Sequence, residues 1–146
     1  MSRKEIGAFV YRFKHGHLQL LLINNRKQTR WILPKGQIEK HLSDKEVALE
    51  EVYEEAGILT RVDNNIPVQM VKYRSSSGPV ILFVYAMQVE RRLKKWPEQY
   101  FRQRFFVDVE LALLMVRKKA LRQLIKQLAI TVNLSNKNLS NNCRGN

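Results

Sequence analysis

Residues 31–58 read WILPKGQIEKHLSDKEVALEEVYEEAGI, and this stretch decides the fold. It places Glu50, Glu51, Glu54 and Glu55 within six positions of a chain whose formal net charge is +13. At helical periodicity the spacing predicts a helix from Ser43 to Ala56, with Glu51, Glu54 and Glu55 on one face and Leu49, Val52, Tyr53 and Ala56 on the opposite one. Like charges at i, i+3 and i+4 repel by roughly a few tenths of a kcal/mol per pair. A face this acidic is either solvated or organised around a cation, and hard divalent ions such as Mg²⁺ take carboxylate oxygens, water and substrate phosphate as ligands. The flanks fit a helix held at both ends. Ser43 or Asp44 suits the N-cap and Gly57 the position just past the C-terminus, while Pro34 stops a strand and Gly36 allows a tight turn that can aim a carbonyl at a metal.

Read from Gly36, the stretch resembles the Nudix box, which runs Gly, five residues, Glu, seven residues, Arg-Glu, apolar, any, Glu-Glu, any, Gly, apolar. Gly36, Glu51, Val52, Glu54, Glu55, Gly57 and Ile58 fall in register. Two positions depart: Leu42 stands where the family has its first Glu, and Glu50 where it has the Arg that orients the neighbouring carboxylates through a salt bridge. The resemblance covers roughly Ile6 to Leu128 and implies an α/β fold, a Nudix-type α/β/α sandwich with a mixed β-sheet. It implies Mg²⁺ or Mn²⁺ held by Gly36, Glu51, Glu54 and Glu55, with Glu51, Glu54 and Glu98 as the catalytic carboxylates. The implied reaction is hydrolysis of a phosphoanhydride in a nucleoside diphosphate-linked or related diphosphate. WILPKG, VYEEAGI, WPE and RQRFFVDV look most like the diphosphoinositol polyphosphate phosphohydrolase branch, and the dinucleoside tetraphosphate hydrolases share a similar W-x-x-P-K-G.

The charge distribution bears on what is bound. The predicted helix contains six of the thirteen acids but only one of the twenty-six Lys and Arg residues, so the remainder of the chain is strongly cationic. Such a field attracts polyanions, here a phosphorylated small molecule or RNA. Arg26, Arg30, Lys35 and Arg102 are the candidate substrate-binding residues, the first two from the polar loop NNRKQTR ahead of Trp31. No apolar run approaches 18 residues and MSRKEIG carries no signal-peptide pattern, which points to a cytoplasmic protein without a membrane span. Cys143 is the single cysteine, which excludes an intrachain disulfide framework. Because Leu42 and Glu50 depart from the box, a catalytically weakened Nudix-fold protein that binds polyphosphate or nucleic acid is the alternative to an active hydrolase.

Along the chain, Glu5 to Arg12 begins with a charge and continues with no polar face, as a central strand would. HGH at 15–17 makes a turn into a returning strand at 18–23, and its histidines read as turn residues. Strands follow the acidic helix at 58–62, 67–74, 80–89 and 102–107, with a hairpin loop at SSSG, 75–78. One long helix is predicted over Glu110 to Ile130, with a stripe of Leu111, Leu114, Met115, Leu121, Leu124, Ile125 and Leu128. The Nudix-like domain is thus expected over 1–131. The Asn- and Ser-rich 132–146 is expected as a flexible tail.

Overall fold

The computed structural model describes residues 2–144. The opening strand β1 (Arg3–Lys14) reverses into β2 (His17–Asn24) through His15 and Gly16, both at positive φ (52° and 78°), the backbone a two-residue hairpin favours. Two short strands follow, β3 (Trp31–Ile32) and β4 (Lys35–Gln37), before the acidic helix α1 (Asp44–Ala56). The chain then forms β5 (Ile58–Val62), the hairpin β6 (Gln69–Ser75) and β7 (Gly78–Arg92), β8 (Arg104–Asp108), and helices α2 (Val109–Met115) and α3 (Lys119–Arg144).

β1 is the centre of a mixed sheet ordered β3-β2-β1-β7-β5. It runs parallel to β7, from Arg3 opposite Val80 to Tyr11 opposite Gln88. Its other edge is divided: residues 11–14 pair with β2, whereas residues 5–7 pair with β4. β4 thus lies along the start of β1, where it meets α1.

Side-chain alternation explains why β1 has no polar face. Ile6, Ala8 and Val10 pack with Val47, Ala48, Val52 and Ala56 of α1, while Phe9 and Tyr11 pack with Leu121, Leu124, Ile125 and Leu128 of α3. Helices cover both faces, so both sets of residues must be apolar. This is the expected α/β/α sandwich.

Three expectations are corrected here. The single helix at 110–130 is two helices, because Val116 turns to an extended backbone (φ −83°, ψ 124°) with its side chain buried. Arg122 Nη1 donates to the carbonyls of Val116 and Arg117 across the break. With the phase reset there, Leu111 and Leu114 leave the apolar stripe and stand 47% and 84% exposed. Second, α3 runs on to Arg144 rather than ending at Ile130, and beyond Val132 it is largely exposed. The side chain of Cys143 lies outside the described residues. Third, β4 was not foreseen at a position read as a turn; a three-residue strand is too short to leave a periodicity. Among the described residues no helix is long and apolar enough to cross a membrane.

Gly57 joins α1 to β5 in the left-handed region (φ 64°), and a Cβ there would meet the Trp96 side chain at 2.7 Å. Gly57→Ala is expected to cost about 1–2 kcal/mol for the backbone conformation alone, and more for the displaced indole. Urea unfolding should show a lower midpoint with an unchanged slope.

Candidate active site

α1 is fixed at both ends by its own sequence. Ser43 Oγ accepts from the Glu46 amide (3.2 Å) and Glu46 Oε1 from the Ser43 amide (3.1 Å), a capping box, and the Gly57 amide closes the helix on the Tyr53 carbonyl (2.9 Å). Its phase differs from the expected two-faced pattern. Val47, Ala48, Val52 and Ala56 face the sheet as a stripe, but Tyr53 is 39% exposed and Glu55 is buried at 4%. The four glutamates therefore fan across an edge: Glu50 lies in solvent, Glu51 and Glu54 are part-buried, and Glu55 lies inside.

The buried end of this fan meets β4. The Lys35 amide donates to Glu55 Oε1 (2.9 Å), and Gly36 lies so close to Glu51 that a Cβ would meet its carboxyl carbon at 2.3 Å. Any other residue at 36 would occupy the carboxylate's place. The segment between β7 and β8 closes the site from the far side. There the Glu98 amide donates to the Glu54 carbonyl (3.1 Å) and Trp96 Nε1 to the Glu55 carbonyl (3.1 Å). Glu98, expected on a loop near the metal carboxylates, is thus brought beside α1.

Burial pushes the Glu51 carboxyl up to about 7, with the Glu54 charge adding to it. Burial likewise pushes Glu55 up to about 8, against the opposing effects of Arg102 and the Lys35 amide. Glu54 is raised as well, first by burial and then by Glu50, Glu98 and Glu39. Both Glu55 oxygens already accept hydrogen bonds, from the Lys35 amide and Arg102, so the proton shared by the Glu51–Glu55 pair belongs on Glu51.

Among the described residues, no three His, Cys, Asp or Glu side chains converge on one point as a formed metal site. The donor set still fits a hard divalent ion in kind. It is all oxygen, and burial together with neighbouring carboxylates raises the proton affinity of Glu51 and Glu54.

On the other side of Lys35 opens a cavity of about 640 Å³. Arg26, Lys27, Arg30, Lys35, Arg74, Arg117 and Lys118 line it together with Trp31 and Tyr73, and no acid does. The Lys118 ammonium is held below its usual value by burial and by the nearby Arg30 and Lys35 charges, so this wall is as short of anions as α1 is of cations. Of the candidate substrate-binding residues, Arg26, Arg30 and Lys35 line the cavity and Arg102 does not. The Arg102 side chain is 4% exposed and is committed to carboxylates.

Sequence reading missed two residues that hold Lys35. Lys35 Nζ lies 2.7 Å from Glu5 Oε1 and 3.0 Å from the Tyr73 hydroxyl. Burial alone would raise the Glu5 carboxyl, but Lys35, Tyr73 and Arg3 outweigh it and hold it below the usual carboxylate value. The signal for Glu5 was present, as the one acid at the head of an apolar strand. Tyr73 carried none, being one polar-tipped residue in an alternating strand.

The NUDIX domain model matches residues 1–128. This chain belongs to the Nudix family. It is 30% identical over 142 residues to Nudix hydrolase 17, mitochondrial, of Arabidopsis thaliana, covering 90% of this chain and 78% of that one. It is 28% identical over 128 residues to Nudix hydrolase 21, chloroplastic, of the same plant, where it covers 85% of itself and 65% of the relative. The compartments in those names belong to the relatives, and the cytoplasmic expectation rests on sequence pattern alone. The C. elegans Ap4A hydrolase structure superposes with a TM-score of 0.75 at 17% identity, covering 90% of this chain and 99% of that one, a likeness of fold.

The raised carboxyls of this Nudix site give a signed pH dependence. Between about pH 4.5 and 8 the metal-free folded Glu51–Glu55 pair keeps a proton that the unfolded chain has released. Its contribution to stability is fully present below about pH 4.5 and is lost as pH rises through about 7 to 8. In chelator the urea midpoint should fall across that window, and Mn²⁺ added at the alkaline end should restore it. A flat profile would show that the carboxylates are solvated and uncoupled.

Proposed function

We propose that this Nudix protein is a Mg²⁺- or Mn²⁺-dependent hydrolase of a phosphoanhydride bond in a nucleoside diphosphate-linked or related polyphosphorylated small molecule. One observation carries the reading: a crowded carboxylate edge and a wall of bases with no acid lie on the two sides of Lys35 and Gly36. A polyphosphate is the ligand that suits both, because the bases hold its outer charges while its reacting group reaches the carboxylates.

In this reading Gly36, Glu51, Glu54 and Glu55 would hold the divalent ion. The ion supplies charge neutralisation at phosphate oxygens and acidifies a water. The chain's own residues do the rest. Lys35, anchored by Glu5 and Tyr73, presents a fixed ammonium at the junction, and Arg26 and Arg30 bind phosphate further along the cavity. Glu51, whose carboxyl lies against Gly36, is a carboxylate that could take a proton from water as a general base does. Glu54 and Glu98 bracket it from the helix and the loop. Trp31 and Tyr73 offer aromatic faces to a base or other ring at the cavity wall. The Ap4A of the structural neighbour's name is one compound of this kind.

The alternative, a Nudix-fold binder without turnover, rests on Leu42 and Glu50. Phosphate release with Mg²⁺ or Mn²⁺ separates the two across ADP-ribose, diadenosine polyphosphates, nucleoside triphosphates, diphosphoinositol polyphosphates and 5′-triphosphorylated RNA. Glu54→Gln is expected to lower kcat by about 100-fold or more and, because Glu54 would be one of the groups holding the ion, to weaken Mn²⁺ binding as well. Binding with no release from any compound would favour the binder.

Affinity in the base-lined cavity should also depend on salt. Neutralising several phosphates releases counterions, so binding is expected to weaken by at least about tenfold between 50 and 200 mM salt. Salt-independent binding would remove the seven bases from the recognition.

A further inference from the structure

Glu55 and Glu98 reach the site from different elements, and one buried guanidinium spans them. Arg102 Nη2 donates to Glu55 Oε2 at 2.8 Å, Nε to Glu98 Oε1 at 2.9 Å, and Nη1 to the Asn24 carbonyl at 2.6 Å. Its planar fork thus ties α1, the segment ahead of β8 and the end of β2 through three acceptors. A group so committed, with its side chain 4% exposed, is not placed to bind a substrate phosphate.

We propose that Arg102 is the positioning residue of the carboxylate site, fixing Glu55 and Glu98 relative to each other. The inference rests on the reading of these carboxylates as a metal-dependent centre.

Two observations separate this role from loop packing. First, the main chain here is fastened without the Arg102 side chain. The Glu98 amide bonds the Glu54 carbonyl (3.1 Å), Trp96 Nε1 the Glu55 carbonyl (3.1 Å), Leu93 N the Gly57 carbonyl (2.8 Å) and Arg104 Nη1 the Ala56 carbonyl (2.8 Å). What the Arg102 fork adds is the placement of two carboxyl groups. Second, position 50 cannot serve them from its side of the helix. Glu50 is exposed and, among the described residues, makes no salt bridge, whereas Glu55 is reached from the interior. The departure at Glu50 therefore leaves no gap in the buried half of the site.

Arg102→Lys is the discriminating variant, because it keeps the charge but offers a point donor in place of a fork. With folding checked by urea unfolding, its Mn²⁺ affinity by calorimetry is expected to fall about 10- to 100-fold, the range for losing a partner that orients metal ligands. On whichever panel compound the wild type hydrolyses, kcat should fall by a similar factor while KM stays within about threefold, since the cavity bases are untouched. A folded Arg102→Lys protein with wild-type Mn²⁺ affinity and kcat would overturn the inference, as would a loss confined to KM or to stability. If the wild type binds Mn²⁺ but hydrolyses nothing, the functional reading fails and the Arg102→Lys affinity alone decides this one. A wild type that binds no Mn²⁺ overturns both.

Discussion

Mutual repulsion among carboxylates is the constraint around which the rest of this structure is arranged. Burial raises the proton affinity of Glu51, Glu54 and Glu55, and the charges of neighbouring carboxylates, Glu98 among them, raise it further. An uncompensated buried carboxylate costs several kcal/mol, roughly, so such a group persists only when the fold supplies partners. Here those partners are the Lys35 amide on one Glu55 oxygen and Arg102 on the other. Gly36 contributes by what it lacks, since the space its Cβ would fill is where the Glu51 carboxyl lies. The strand, the loop and the helix are each placed by the requirement of keeping these acids together.

The pairing of β1 is divided beside this site: β1 gives residues 5–7 to β4 and residues 11–14 to β2, and Ala8 N bonds the Pro34 carbonyl (3.0 Å) between them. Lys35 is pinned by its backbone to Glu55 on the carboxylate side and by its ammonium to Glu5 and Tyr73 on the cavity side. One residue carries the boundary between two oppositely charged fields.

What could be read from the sequence followed from how locally each feature is encoded. The extent of α1, the place of its N-cap and its terminal glycine were legible because they depend on neighbours within one turn, as in Ser43 with Glu46 and Gly57 with Tyr53. The covered strand β1 was legible from its lack of a polar face. The helix break at Val116 was not, since its cause is tertiary: a buried valine and an arginine six residues on that satisfies its carbonyl. Arg102 was visible as a basic residue near the site but its role was not, because phosphate binding and carboxylate pairing call for the same side chain. Only burial and the positions of Glu55, Glu98 and Asn24 tell them apart.

The same distinction bears on how a departure from a family pattern should be weighed. A motif read along one helix treats the helix as the whole site, and by that measure Glu50 leaves the acidic edge without its cation. In three dimensions a carboxylate has two oxygens and a surrounding sphere, and a cation may reach it from any element that passes within hydrogen-bonding distance. A guanidinium from the sheet side reaches Glu55 and Glu98 together, whereas a residue on the exposed flank of α1 could at best oppose the outer acids in high dielectric, where a pair contributes about 0–1 kcal/mol. Buried inside the fold, the Arg102 pair is both shielded from salt and fixed in orientation. Whatever stands at position 50, the interior cation is supplied by the segment that also brings Glu98, so the helix motif and the WPE segment form a single structural unit.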